Sequence, residues 1–266
     1  MTKIIAVASG KGGVGKTTTT INLGCALTGF GKDTVIIDGN LTTPHIALHL
    51  GSVRLDSTLN DALLGRKSIT DTAYLHPSGL RVIPASIALP DSQACSTERM
   101  HHVLLDLIGT TEVVLLDIGA GAGRETMDAL RATDEVLLVV TPDMLSVGDA
   151  IRTAALAKEA NIPIMGAVLN RVTGDKSELS VKNVEALLDV PVLGVVPEDQ
   201  AVKRALAMRM PVVHSHPNAP AAIGYKRLAA SLLGQVYEPY APRKEEEKGE
   251  QKEKNPFMDI LQKLGW

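Results

Sequence analysis

The chain has 266 residues, 45% of them apolar and 3% aromatic, with a formal net charge of −3. That length and apolar content suit one large α/β domain with a solid core, and the charge balance with so few aromatics argues against specific nucleic-acid recognition. Cys25 and Cys95 stand 70 positions apart, which argues against a disulfide framework or a cysteine metal pair. No run reaches the roughly 18 apolar residues of a membrane span. A strand pattern starts at once with no leader before it, so a reducing cytoplasm is the expected setting.

In chain order, residues 3–8 read as a buried strand that runs into Gly10-Lys11-Gly12-Gly13-Val14-Gly15-Lys16-Thr17-Thr18. Gly10, Gly15, Lys16 and Thr17 fill the phosphate-loop pattern G-x-x-x-x-G-K-[ST]. A helix is predicted over 18–27 with Gly31 as its stop, so strand, glycine-rich turn and helix follow in the required order. The glycines let successive amide N–H groups converge on one anion, and the helix adds the positive end of its dipole. The α- and β-phosphates are expected here, with Lys16 reaching the β- and γ-phosphates and the Thr17 hydroxyl taking one place on Mg2+. Lys11 is a second cation in the loop, serving either its own nucleotide or one bound by a partner chain.

Further strands are predicted over 34–37, 80–83, 113–117, 136–141, 164–169 and 192–196. Helices are predicted over 97–108, 146–160, 182–188, 201–207 and 219–236, with Ser177 as a possible helix start. Alternating apolar strands and helices imply a doubly wound, mostly parallel sheet with helices on both faces and ligands at the carboxyl ends of its strands. Two acids, Asp38 and Asp117, close two of those strands. Each is able to cap the following helix. Beside a phosphate loop, Asp117 reads instead as the acid that holds Mg2+ through a water, and Asp38 as a second acid near the metal. The glycine-rich stretch from Gly119 to Gly123 has the freedom of a switch loop that senses a γ-phosphate.

The segment Lys11 to Thr18 resembles the deviant Walker A motif of the MinD/ParA family of ATPases, and the similarity extends over roughly residues 1–236. Val168-Leu169-Asn170-Arg171 resembles the strand end whose Asn reads the adenine edge. Val195-Val196-Pro197-Glu198-Asp199 resembles the loop that packs on the base, and both segments agree with the MinD branch. The resemblance implies ATP with Mg2+, a homodimer closed around two nucleotides, and Lys11 reaching the γ-phosphate of the opposite subunit to stabilise transition-state charge. It implies catalytic roles for Lys11, Lys16, Asp38, Asn40 and Asp117, and phosphate contacts from Gly10 to Thr18 and from Gly121. Base contacts would come from Asn170, Arg171, Pro197, Glu198 and Asp199, and metal contacts from Thr17, Asp38 and Asp117.

Two positions depart from that family's pattern. Asn40 stands where the family's switch I usually carries a second Asp, and Gly119 where its switch II usually has proline. Asn40 is able to orient an attacking water but not to accept its proton, and Gly119 loosens the turn. Positioning goes far in a loose phosphoryl-transfer transition state, so slowed rather than abolished hydrolysis is expected.

From Arg243 to Lys254 five basic residues balance five acidic ones with almost nothing to bury, as in a solvated tether. Beyond it Asn255-Pro256 reads as a helix start, and Phe257, Ile260, Leu261 and Leu264 recur at i, i+3, i+4 and i+7, with Trp266 as the last residue. The expected organisation is an ATPase domain over 1–237, a charged linker over 238–254 and an amphipathic helix over 255–266. That helix has three possible targets: its own domain, a partner's groove, or a membrane interface. The resemblance favours the last. With one lysine on the helix and a neutral tether, lipid attraction of about 1 kcal/mol per nearby cation is small. Two helices on one ATP-closed dimer gain 10²-fold or more in avidity.

His45 and His49 have metal-pair spacing but no third ligand near in sequence, and they read, like His214 and His216, as surface or core packing. The function expected is a cytoplasmic, peripherally membrane-bound ATPase that positions a protein partner, such as the division machinery, on the inner membrane face. The alternatives are a ParA-like DNA-segregation ATPase and a nonhydrolysing spatial scaffold.

Overall fold

Eight strands form one sheet in the computed structural model: β1 (Lys3–Ala8), β2 (Thr34–Asp38), β3 (Tyr74–Leu75), β4 (Arg81–Ile83), β5 (Val113–Asp117), β6 (Glu135–Val140), β7 (Ile164–Val172) and β8 (Val192–Pro197). Their spatial order is β3-β4-β2-β5-β1-β6-β7-β8. The structure describes residues 1–52, 55–88, 95–121 and 123–239. Neighbours run parallel throughout, apart from the antiparallel pair β3 and β4 at one edge.

The apolar runs become central strands because both faces of the sheet are covered. Ile4, Ala6 and Ala8 pack with helices Leu59–Leu63, Met100–Leu105, Arg124–Arg131, Met144–Glu159 and Val181–Leu188. Ile5 and Val7 pack on the other face with helices Lys16–Gly29, Ile46–Leu50, Gln200–Ala207, Val212–Ser215 and Pro220–Leu232. Successive side chains of a strand point to opposite faces, so a continuous apolar run feeds two cores at once. The chain moves from β1 to one side of the sheet and, after β5, to the other. β1 therefore stands at the switch point, and a crevice opens at its carboxyl end.

The expected doubly wound architecture is present, with differences at the ends of elements. Helix Lys16–Gly29 starts two residues earlier than predicted and Gly31 follows its end with φ +80°, as a helix stop requires. The predicted helix 97–108 is a 3-10 turn, Thr97–Arg99, followed by Met100–Leu105, and the predicted helix 219–236 ends at Leu232. Ser177 starts no helix. Its amide and hydroxyl bond to Asp175 in a turn, and Ser180 caps helix Val181–Leu188 by accepting from the Asn183 N–H. Strand β3 and the helices Ile46–Leu50, Leu59–Leu63 and Val212–Ser215 were not predicted, being too short for a clear period, nor was Arg124–Arg131, a mostly polar stretch with few apolar residues to mark one. The predicted linker from residue 240 on and the predicted helix 255–266, including Phe257, Ile260, Leu261, Leu264 and Trp266, lie outside the described residues.

Candidate functional site

The phosphate loop leaves β1 and enters helix Lys16–Gly29 with φ +84° at Gly13 and +91° at Gly15, a left-handed backbone that glycine adopts without strain. Gly15 caps the helix without any side-chain hydrogen bond, and no acid lies in the first turn, so the first-turn N–H groups face the crevice available to an anion. Gly10 is constrained from behind. A Cβ there would come within 2.1 Å of the Asp149 backbone carbon, because the loop crosses helix Met144–Glu159 in close contact.

Beneath the loop, Lys16 Nζ lies 3.0 Å from Asp117 Oδ1, while the Thr17 hydroxyl donates to Asp117 Oδ2 at 2.6 Å and the Thr20 hydroxyl to Oδ1 at 3.4 Å. The Thr17 hydroxyl and the Asp117 carboxylate are hard oxygen donors in contact with each other, a pair that fits Mg2+. Asp38, paired in register with Asp117 across β2 and β5, is fully buried. Its oxygens accept from the N–H groups of Asn40 at 3.3 Å and of His45 and Ile46, both at 2.9 Å. The capping reading of Asp38 is thus realised: it fastens the 39–45 loop and the start of helix Ile46–Leu50. Burial, and then the neighbouring Asp117, push its carboxyl up to about 7.

A cavity of about 570 Å³ opens between the phosphate loop and the two switch segments, with Lys11, Lys16, Thr17, Asn40, Gly119 and Glu125 among its walls. Asp38, Asp117 and Gly121 do not reach its surface. His45 and His49 do; burial, and then the adjacent His45, hold the His49 imidazole below the usual range. Asn40 is folded back on its own loop, its Oδ1 accepting from the Thr43 N–H at 3.1 Å and its Nδ2 donating to the Thr43 hydroxyl at 2.9 Å. Lys11 sits at the rim, Nζ 3.3 Å from Asp143 Oδ1. Burial works against the Asp143 charge, but hydrogen bonds from Thr141, the Ser146 N–H and Lys11 hold its carboxyl below the ordinary range.

A second cavity, of about 250 Å³, brings together all five predicted base contacts, Asn170, Arg171, Pro197, Glu198 and Asp199, at the carboxyl ends of β7 and β8. Asn170 Nδ2 donates to the Val14 carbonyl at 2.8 Å, tying this pocket to the phosphate loop. Arg171, at φ +61°, pairs with Glu198 at 2.8 Å and donates to the Gly13 carbonyl at 3.2 Å. Sequence reasoning missed Asp143, Thr20 and Glu125. An acid just before a helix was the signal for Asp143, and an acid in the first turn after the glycine-rich loop was the signal for Glu125.

A parallel sheet with a phosphate loop at its switch point, a buried Lys-Asp-Thr cluster under that loop and a base-sized cavity beside it defines a nucleotide-binding protein of the P-loop class. Residues 5–212 match the CobQ/CobB/MinD/ParA nucleotide binding domain, and the chain belongs to this family of ATPases. It is 40% identical over 242 residues to an uncharacterised ATP-binding protein of Methanocaldococcus jannaschii, covering 91% of this chain and 92% of that one. The cell division ATPase MinD of Pyrococcus furiosus has the same fold with a TM-score of 0.84 at 31% identity, over 88% of this chain and 99% of the other. The septum site-determining protein MinD of Pyrococcus horikoshii, solved in complex with Mg-ADP, gives 0.83 at 30% identity, over 87% and 96%. Among the described residues no helix is long and apolar enough to cross a membrane.

Proposed function

We propose that the chain is a MinD-like ATPase that binds Mg-ATP, closes with a second copy around two nucleotides, and attaches reversibly to the cytoplasmic face of the membrane to position a protein partner such as the division machinery. The observation that carries this reading is the separation of the two loop lysines. Lys16 is 9% exposed beneath the loop on Asp117, whereas Lys11 is 36% exposed at the rim on Asp143. A rim lysine is placed to serve a nucleotide presented by another subunit, as an arginine finger does. Gly10 to Thr18 would hold the phosphates, with Thr17 and Asp117 on Mg2+ and Asp38 fixing the loop beside them. The Asn170 to Asp199 cavity would take the adenine. Hydrolysis is slow, since the loop after β2 offers no proton acceptor at Asn40 and Gly119 lacks the restraint of a proline.

Membrane attachment rests on the sequence pattern of residues 255–266, an apolar stripe on a polar tether. The test is sedimentation with phosphatidylglycerol-containing vesicles in ATP, in ADP and without nucleotide, for the intact chain and for one truncated after Pro242. ATP-dependent pelleting that vanishes on truncation supports the reading. If neither form pellets, membrane attachment is wrong and the segment docks on a partner protein or on its own domain.

A further inference from the structure

With Asn40 neutral, a hydrolytic site needs some other group to take the proton of the attacking water. Asp38 and Asp117 are 0% and 1% exposed, and their oxygens are taken by backbone N–H groups, Lys16, Thr17 and Thr20. Of the described residues lining the 570 Å³ cavity, Glu125 is the one acid. It stands in the first turn of helix Arg124–Arg131, directly after the switch loop. Glu125 Oε1 accepts from the Leu41 N–H at 2.6 Å and more weakly from the Thr42 N–H at 3.4 Å. Among the described residues Oε2 accepts only from the Thr42 hydroxyl, at 2.7 Å, and keeps a second acceptor position. The carboxylate is therefore held across both switch segments, on the wall that also carries Asn40 and Gly119.

We propose that Glu125 is a catalytic residue of ATP hydrolysis, supplying from switch II the carboxylate that position 40 of switch I lacks. This rests on the ATPase reading above. The water oxygen attacks the γ-phosphorus while the bond to the β–γ bridging oxygen breaks and its electron pair leaves with ADP. Water's proton passes to Glu125 Oε2, which returns it to the phosphate product. Asn40, fixed by Thr43, orients the same water without taking the proton.

The test compares wild type, Glu125→Gln and the double variant Asn40→Asp with Glu125→Gln, with vesicles and excess protein. It follows single-turnover hydrolysis from pH 6 to 9, affinity for Mg-ADP, and trapping of Mg-ADP with aluminium fluoride. Glutamine retains an acceptor for the Leu41 N–H and donates to Thr42, so the loop clamp survives the single change. The expected result is an unchanged Mg-ADP affinity, at least about 100-fold slower hydrolysis, and loss of trapping. The double variant should recover at least tenfold of the rate. Hydrolysis and trapping by Glu125→Gln within about twofold of wild type would overturn the assignment while leaving the ATPase reading intact. A wild type that binds Mg-ATP and never turns it over would overturn both.

Discussion

Asp38 and Asp117 sit side by side at the carboxyl ends of β2 and β5, in register and both sealed from solvent. Burial disfavours the charge on Asp38, its neighbour disfavours it further, and three backbone N–H groups only partly offset this, which leaves the carboxyl at about 7 against an ordinary 3.8. A carboxyl raised in the folded state stabilises the fold below its ordinary range, and that contribution is lost as pH rises through about 7. Asp38→Asn removes the titration at the cost of one acceptor, an offset that does not vary with pH. The melting temperature of the nucleotide-free variant, relative to wild type, should therefore rise from pH 5 to pH 8. A difference that stays flat over this range would refute the linkage.

Freeing Lys11 should favour pairing of subunits. Asp143→Asn weakens the ion pair but keeps an oxygen for the Ser146 N–H, so helix Met144–Glu159 stays capped. An exposed pair is worth about 0.2–1 kcal/mol, so the protein concentration at which ATP-dependent dimers form should fall by up to about fivefold per subunit. Analytical ultracentrifugation with a nonhydrolysable ATP analogue reads this directly.

Gly10 and Gly12 should respond differently to alanine. At Gly10 the added Cβ meets the Asp149 and Ala150 backbone at 2.1–2.5 Å, while at Gly12 nothing lies within 4 Å. Overpacking against a rigid helix costs about 1–3 kcal/mol, roughly 2–12 °C in melting temperature for a domain of this size. Gly12→Ala should stay within about 0.5 kcal/mol of wild type. Thermal melts of the nucleotide-free proteins compare the two.

Asn170→Ala should cost about 1–3 kcal/mol of stability, because the Val14 carbonyl loses its buried partner. If Asn170 also reads the adenine edge, ATP should lose more affinity than GTP in the variant. Equal losses for the two nucleotides, measured by calorimetry, would show that Asn170 holds the loop and nothing more.

Much of the fold was legible because parallel strands covered on both faces are written as unbroken apolar runs. Strands β1 and β5 have the predicted bounds, and most other strands differ by a residue at one end or both. β7 extends three residues further, to Val172, where Asn170 and Arg171 reach the 250 Å³ cavity. Short elements such as β3 and helix Ile46–Leu50 carry no readable period; they exist because β4 and the Asp38 carboxylate give them partners.

The sequence by itself determined the phosphate loop, the order of the longer apolar strands and helices and the family, since each depends on spacing within short segments. The position of every group from another segment was left to the tertiary structure. Asp143 reaches Lys11 across 132 positions and Asn170 reaches Val14 across 156. Glu125 reaches Leu41 and Thr42 across 84 and 83. Such contacts have no local signature, because they arise only when the sheet aligns the carboxyl ends of its strands along one edge. That alignment is what buries Asp38 and Asp117 and leaves Glu125 as the acid on the cavity wall.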